Sequence, residues 1–153
     1  MELISKLGYE KLCKQYKAVN QEIENAKKKM VESLENNGRA ENLEYNELWK
    51  NVTSILPEKK EEIFKRMKEC MIIEDCQFFK EFDGSKVIPG SKVKFTIDGE
   101  NETLTILGEK ESDVENGIIS LGTPMAKALL GRYINEMIVF NGMTIIIKAI
   151  EKI

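Results

Sequence analysis

Residues 35–45 read ENNGRAENLEY and lie between two long helical patterns. Asn-Gly is a strong turn signal, and Gly38 suits the left-handed conformation in which helices often end. Glu41 and Glu44 follow where a second helix would begin, at the end of the helix dipole that favours acids. The stretch therefore predicts the tip of an antiparallel helical hairpin with an acidic shoulder.

The helical pattern before the tip, over residues 6–36, has one apolar seam. Its members are separated by alternating steps of four and three residues, close to the 3.5-residue repeat of a coiled coil. The predicted seam consists of Leu12, Tyr16, Val19, Ile23, Ala26, Met30 and Leu34.

The helical pattern after the tip is interrupted once. Its seam is predicted to run through Tyr45, Leu48, Val52 and Ile55. Pro57 lacks an N–H and crowds the preceding turn, so a kink or short break is expected there. Lys59 then occupies the next apolar place, and the pattern resumes near Ile63 and Met67.

The pattern of apolar residues changes from helical to strand-like near residue 73. Alternating apolar residues predict strands at 93–97, 103–107, 118–121, 136–140 and 143–150, with Asp98-Gly99 and Asn141-Gly142 as turns. Thr123, Pro124 and Gly131 suit the cap, first turn and exit of a short helix. The predicted fold class is α+β: a coiled-coil hairpin over residues 1–73, then a mostly antiparallel sheet domain with one short helix over 74–153.

Composition excludes several classes of function. The 153 residues carry 23 Lys and Arg against 26 Asp and Glu, so the chain as a whole is no polyanion binder. It has no His, which removes the commonest general base and metal ligand. The three cysteines form no CxxC pair, and buried, reduced thiols are expected. With no apolar run of membrane-spanning length and no signal peptide, the protein is expected to be cytoplasmic.

Four motifs, in order, resemble the Gre transcript cleavage and elongation factors of bacteria. They are LGYEKL at 7–12, ENLEY at 41–45, LGEKESD at 107–113 with Ile119-Ser120, and TPMAKALLGR at 123–132. The last is the most specific. The resemblance covers nearly the whole chain and implies an N-terminal coiled-coil hairpin and a C-terminal FKBP-like domain.

The resemblance also implies a partner and a site. Gre factors dock their C-terminal domain at the secondary channel of bacterial RNA polymerase, which here implicates Thr123, Pro124, Met125 and Lys127. The hairpin reaches the nascent RNA 3′ end in a backtracked complex. The tip carboxylates, Glu41 and Glu44 here, then help hold a Mg²⁺ shared with the polymerase. Such a factor has no cofactor of its own and is not an enzyme, since it stimulates cleavage by the polymerase.

The tip departs from the family pattern at one position. The family places an acid three residues before the tip Glu, and Gly38 stands there. Glu35 lies a full turn away, and Arg39 adds a positive charge. The departure predicts weak or absent cleavage stimulation. The alternatives are an active cleavage factor that uses Glu41 and, less favoured, a coiled-coil adaptor for another partner. A peptidyl-prolyl isomerase is disfavoured because no motif at isomerase spacing is present.

Two further features of the hairpin carry expectations. Lys27, Lys28 and Lys29 form a basic run that could contact RNA or the channel wall, although such a run is more often a solvated helix face. Trp49 is expected to pack across the hairpin. The protein is expected to be a monomer with no direct DNA or membrane contact.

Overall fold

The computed structural model describes residues 1–37 and 43–153 and groups the chain into two compact units. One is a helical arm, Glu10–Glu69. The other combines Met1–Tyr9 with Cys70–Ile153, so the first nine residues belong with the C-terminal domain. The predicted α+β class, a helical hairpin followed by a β-sheet domain, is confirmed.

Helix α1 (Lys6–Asn37) buries a strict heptad seam. Leu12, Val19 and Ala26 are buried, and the residues at the intervening seam positions are half-buried. The next heptad position is Ser33, which is only 3% exposed and whose Oγ donates to the Met30 carbonyl at 3.0 Å. Leu34, 37% exposed, is therefore outside the seam, and its predicted place in it is wrong. The heptad repeat fixes which positions of α1 face the rest of the arm. Ser33 is therefore buried, although the neighbouring Leu34 is the more apolar residue.

The second half of the arm is helical throughout its described length. It comprises α2 (Leu43–Lys50), a π-helical turn (Asn51–Ile55) and α3 (Leu56–Glu69). The Leu56 N–H donates to the Asn51 carbonyl five residues back, and Pro57 has no N–H to donate to Thr53. No break occurs, because the helix continues through Pro57, and the irregularity that precedes the proline is a π-helical turn.

The π-helical turn moves the seam by one residue. Leu56 is buried whereas Ile55 is 55% exposed, so the predicted seam position at Ile55 is wrong. Within the arm, the Tyr16 and Phe64 rings stack at 5.8 Å, and the Lys60 Nζ lies 5.7 Å from the Tyr16 ring centroid. These contacts pair the start of α1 with α3, as an antiparallel hairpin requires.

The C-terminal domain contains a five-stranded sheet in the order β5-β4-β3-β7-β6. All neighbours are antiparallel except β4 and β5. The strands are β3 (Ser91–Ile97), β4 (Glu100–Leu107), β5 (Ile118–Ser120), β6 (Met137–Phe140) and β7 (Met143–Lys152). A separate parallel pair joins β1 (Glu2–Ile4) to β2 (Cys70–Ile72).

Alternation builds the core of this domain. In β3, Val93 and Phe95 are buried while Lys92 and Lys94 are exposed, because successive side chains point to opposite faces. Helices α4 (Gln77–Lys80) and α5 (Pro124–Leu129) complete the unit, and Leu129 is fully buried in the core.

Both predicted hairpin turns are present. Asp98 and Gly99 have φ of 48° and 86°, and Asn141 and Gly142 have φ of 48° and 77°. Two consecutive positive φ angles are what a type I′ turn requires, which explains the Asp-Gly and Asn-Gly pairs.

Candidate functional site

The tip motif lies mostly outside the described residues. This holds for Gly38, Arg39 and Glu41, so the predicted ligand role of Glu41 stays a prediction. On either side of these residues, Glu35 is exposed near the end of α1 and Glu44 is exposed in the first turn of α2. An exposed carboxylate at either position can meet a cation.

The basic run Lys27–Lys29 covers the outward side of α1. All three side chains are exposed, because Ala26 and Met30 on either side occupy the seam. Lys27 Nζ lies 3.5 Å from Glu24 Oε1 in an exposed pair that contributes little stability. Successive helical residues are about 100° apart, so the three ammonium groups fan out and do not converge on one point.

Trp49 is 48% exposed, so it packs only in part, contrary to expectation. Its neighbour Leu48 is half-buried at the seam. The indole is therefore available on the surface of the arm near its tip-proximal end.

Helix α5 presents the predicted docking residues as its sequence requires. The Thr123 Oγ1 accepts from the Ala126 N–H at 3.2 Å and donates to the Ser120 carbonyl at 2.9 Å. Pro124 occupies the first turn, where no donor is needed. Since Ala126 faces the core, Pro124 and Lys127 are exposed, and Met125 is half-buried against the core. Pro124 and Lys127 are three residues apart and share one side of the helix.

Sequence reasoning missed a hydrogen-bonded cluster at the start of α1. The Ser5 N–H donates to Glu111 Oε2 at 2.8 Å, and the Gly108 N–H donates to the same oxygen at 3.0 Å. The Leu3 N–H donates to Glu109 Oε2 at 2.8 Å. The signal was partly visible, since a Ser just before a helical pattern suggests an N-cap. No sequence signal pointed to its carboxylate partner, Glu111, which is 106 residues away.

The three cysteines are thiols outside any disulfide, as expected. Only Cys76 is buried, and Cys13 and Cys70 are half-buried. Burial, reinforced by the neighbouring Asp75 carboxylate, raises the pKa of the Cys76 thiol above its ordinary value. Cys76 is thus a weak nucleophile and a structural residue.

Residues 1–37 and 43–153 contain neither a cluster of metal-ligating side chains nor a helix that could span a membrane. No group of three or more Cys, Asp or Glu side chains in this part of the chain could hold a metal ion. None of the described helices is long and apolar enough to cross a membrane.

The described residues thus form a helical arm and a domain that carries a five-stranded sheet and the short helix α5. Residues 83–152 match the family model "Transcription elongation factor, GreA/GreB, C-term". The C-terminal domain is thus similar to that of the GreA/GreB factors, and the chain as a whole resembles the Gre factors.

Individual relatives extend the similarity into the arm. Transcription elongation factor GreA of Halalkalibacterium halodurans is 36% identical over 104 residues, 67% of this chain and 63% of the relative. GreA of a Nitratiruptor strain is 29% identical over 133 residues, 86% of this chain and 78% of the relative. The chain thus spans less than two thirds of the first relative's length. Among solved structures, GreA factor homolog 1 of Thermus thermophilus aligns over 97% of both chains with a TM-score of 0.42 and 20% identity.

Proposed function

We propose that this chain is a Gre-type transcription elongation factor that binds bacterial RNA polymerase and reaches into its secondary channel with the arm. The observation that carries the proposal is the match of residues 83–152 to the GreA/GreB C-terminal family, a stretch that includes α5 and the whole five-stranded sheet. The protein is proposed to act as a cytoplasmic monomer. It has no reaction of its own and modulates the polymerase.

The proposed docking surface is the exposed side of α5, formed by Thr123, Pro124, Met125 and Lys127. Its exposed lysine has no ion pair among the described residues and can meet a carboxylate of the polymerase. Lys127→Glu is expected to weaken polymerase capture at least about tenfold, since like charges across an interface are strongly unfavourable. Lys80→Glu makes the same charge change at another exposed site of the domain and is the matched control.

The proposed action of the tip follows from its incomplete acid set. Mg²⁺ prefers hard oxygen ligands, and a two-metal site needs carboxylates to complete its coordination. Glu44 supplies an acid in the first turn of α2 and Glu41 stands three residues before it in the sequence, but Gly38 has no side-chain ligand where the family has an acid. We therefore expect weak or no stimulation of transcript cleavage. The factor would then act mainly by occupying the channel.

A backtracked elongation complex tests this directly. With wild-type protein, we expect little shortening of the RNA 3′ end, and Gly38→Asp should increase the cleavage rate at least about tenfold by adding a metal ligand. Prompt cleavage by the wild type that disappears in Glu41→Ala would instead establish the fully active factor. If immobilised protein captures no polymerase, the adaptor function replaces the proposal.

A further inference from the structure

One carboxylate, Glu111, gathers three hydrogen bonds where α1 begins. Its Oε2 accepts the Ser5 and Gly108 N–H groups, and its Oε1 accepts the Ser5 hydroxyl hydrogen at 2.5 Å. Ser5 itself is only 4% exposed. Hydrogen bonds to an ionised acceptor are roughly twice as strong as neutral ones, so this cluster is a firm attachment.

The same region satisfies the Lys6 and Gly8 N–H groups, which have no acceptor within the first turn of α1. The Ser5 Oγ accepts the Gly8 N–H at 3.0 Å, and the Ser5 carbonyl accepts the Tyr9 N–H at 2.9 Å. The Lys6 N–H donates to Glu74 Oε2 at 2.8 Å. The first turn has no acid of its own, so Glu74 and Glu111 supply the negative charge that the helix dipole favours.

Two glycines make room for this attachment. A Cβ on Gly8 would lie 2.1 Å from Glu111 Oε1, and a Cβ on Gly108 would lie 1.8 Å from the Leu3 carbonyl oxygen. Neither glycine has a positive φ. Both are therefore needed for space and not for backbone conformation. This gives a physical reason for two of the motif glycines, which polymerase docking and tip chemistry leave unexplained.

We propose that Glu111 is a positioning residue that fixes the root of α1 on the C-terminal domain, and that the action of the arm on its partner depends on it. The first turn of α1 belongs to the C-terminal unit, and the same helix continues without interruption to Asn37. Holding that turn therefore holds the beginning of the arm. The second part of this inference rests on the proposed function, and the first part does not.

Three variants distinguish the loss of the Glu111 hydrogen bonds from the loss of its charge and from the non-specific effect of removing an acidic residue. Glu111→Ala removes both acceptor oxygens and thus all three hydrogen bonds. Glu111→Gln keeps them in effect, because its Oε1 can accept both N–H groups and its Nε2 can donate to the Ser5 Oγ. Glu115→Ala removes an exposed acid four residues further along the chain and serves as the matched control.

The first measurement is hydrogen exchange of the full-length protein at the amides of Ser5 and Gly8. We expect Glu111→Ala to accelerate exchange at least about tenfold, while Glu111→Gln and Glu115→Ala stay within about threefold of the wild type. Unchanged exchange in Glu111→Ala would overturn the attachment. A second test is Gly8→Ala, whose clash with the carboxylate should accelerate exchange strongly in the wild type and much less when Glu111 is already alanine.

The second measurement compares polymerase capture with the effect of the protein on elongation. For Glu111→Ala we expect capture to change less than about threefold, because the α5 surface is untouched, while the arm-dependent effect falls at least about tenfold and Glu111→Gln restores it. An unchanged effect in Glu111→Ala would overturn the positioning role. If the wild type captures no polymerase, the proposed function and this second part both fail, whereas the exchange result still decides the first part.

Discussion

Replacing Leu56 by alanine should destabilise the arm far more than replacing Ile55, although an uninterrupted helical pattern assigns the seam to Ile55. Leu56 is 9% exposed and Ile55 is 55% exposed. A buried Leu→Ala change costs about 2–5 kcal/mol, and a two-helix arm can relax around the gap, so about 2–3 kcal/mol is expected. Ile55→Ala should cost about 0.5–1 kcal/mol, because little apolar surface is returned to water.

Trp49 makes this measurable in the full-length protein. It is the only tryptophan of the chain and belongs to the arm, so its fluorescence reports unfolding of the arm in urea. With an m-value of about 1 kcal/mol per molar, Leu56→Ala should lower the urea midpoint by about 2–3 M and Ile55→Ala by about 0.5–1 M. Equal losses, or a larger loss for Ile55→Ala, would mean that no π-helical turn shifts the seam.

Two further predictions concern the C-terminal unit. Gly108→Ala should cost roughly 2–3 kcal/mol and lower Tm by about 5–10 °C, because its Cβ meets the Leu3 carbonyl, whereas Gly122→Ala meets nothing within 4 Å and should leave Tm unchanged. A scan in which the two substitutions cost the same would contradict this. Cys76 should react with iodoacetamide at least about tenfold more slowly in the folded protein than in denaturant at pH 8.5, since its raised pKa lowers the thiolate fraction. Peptide mass spectrometry measures alkylation of Cys76 separately from that of the other two cysteines. Equal alkylation rates in the folded and the denatured protein would contradict the burial of Cys76.

The strands, turns and α5 could be predicted because their signals are local. In β3, burial alternates along the sequence, and Asp98-Gly99 and Asn141-Gly142 are dictated by the φ angles of their own turns. The α5 cap and first turn likewise depend on adjacent residues, Thr123 and Pro124.

The wrong or missing predictions concern residues whose burial or partners are set by contacts with distant parts of the chain and not by their sequence neighbours. Ser33 occupies a seam position because the heptad continues, although the adjacent Leu34 is the more apolar residue. The Glu111 cluster joins residues 106 positions apart, so no local pattern could pair Ser5 with its acceptor. A resemblance marked the surrounding motif but gave no physical role to Glu111.

The π-helical turn explains why a charged residue, Lys59, stands where the seam of the second helix is expected to continue. Without it, the three-and-four spacing from Val52 leads to Ile55 and then Lys59, a charged residue at an apolar place. One extra residue in the turn moves these positions to Leu56 and Lys60. The burial agrees, because Lys59 is exposed while Lys60 is half-buried with its ammonium over the Tyr16 ring. The insertion is thus confined to one turn: Tyr45 and Leu48 occupy the seam before it, and Leu56 continues the seam after it.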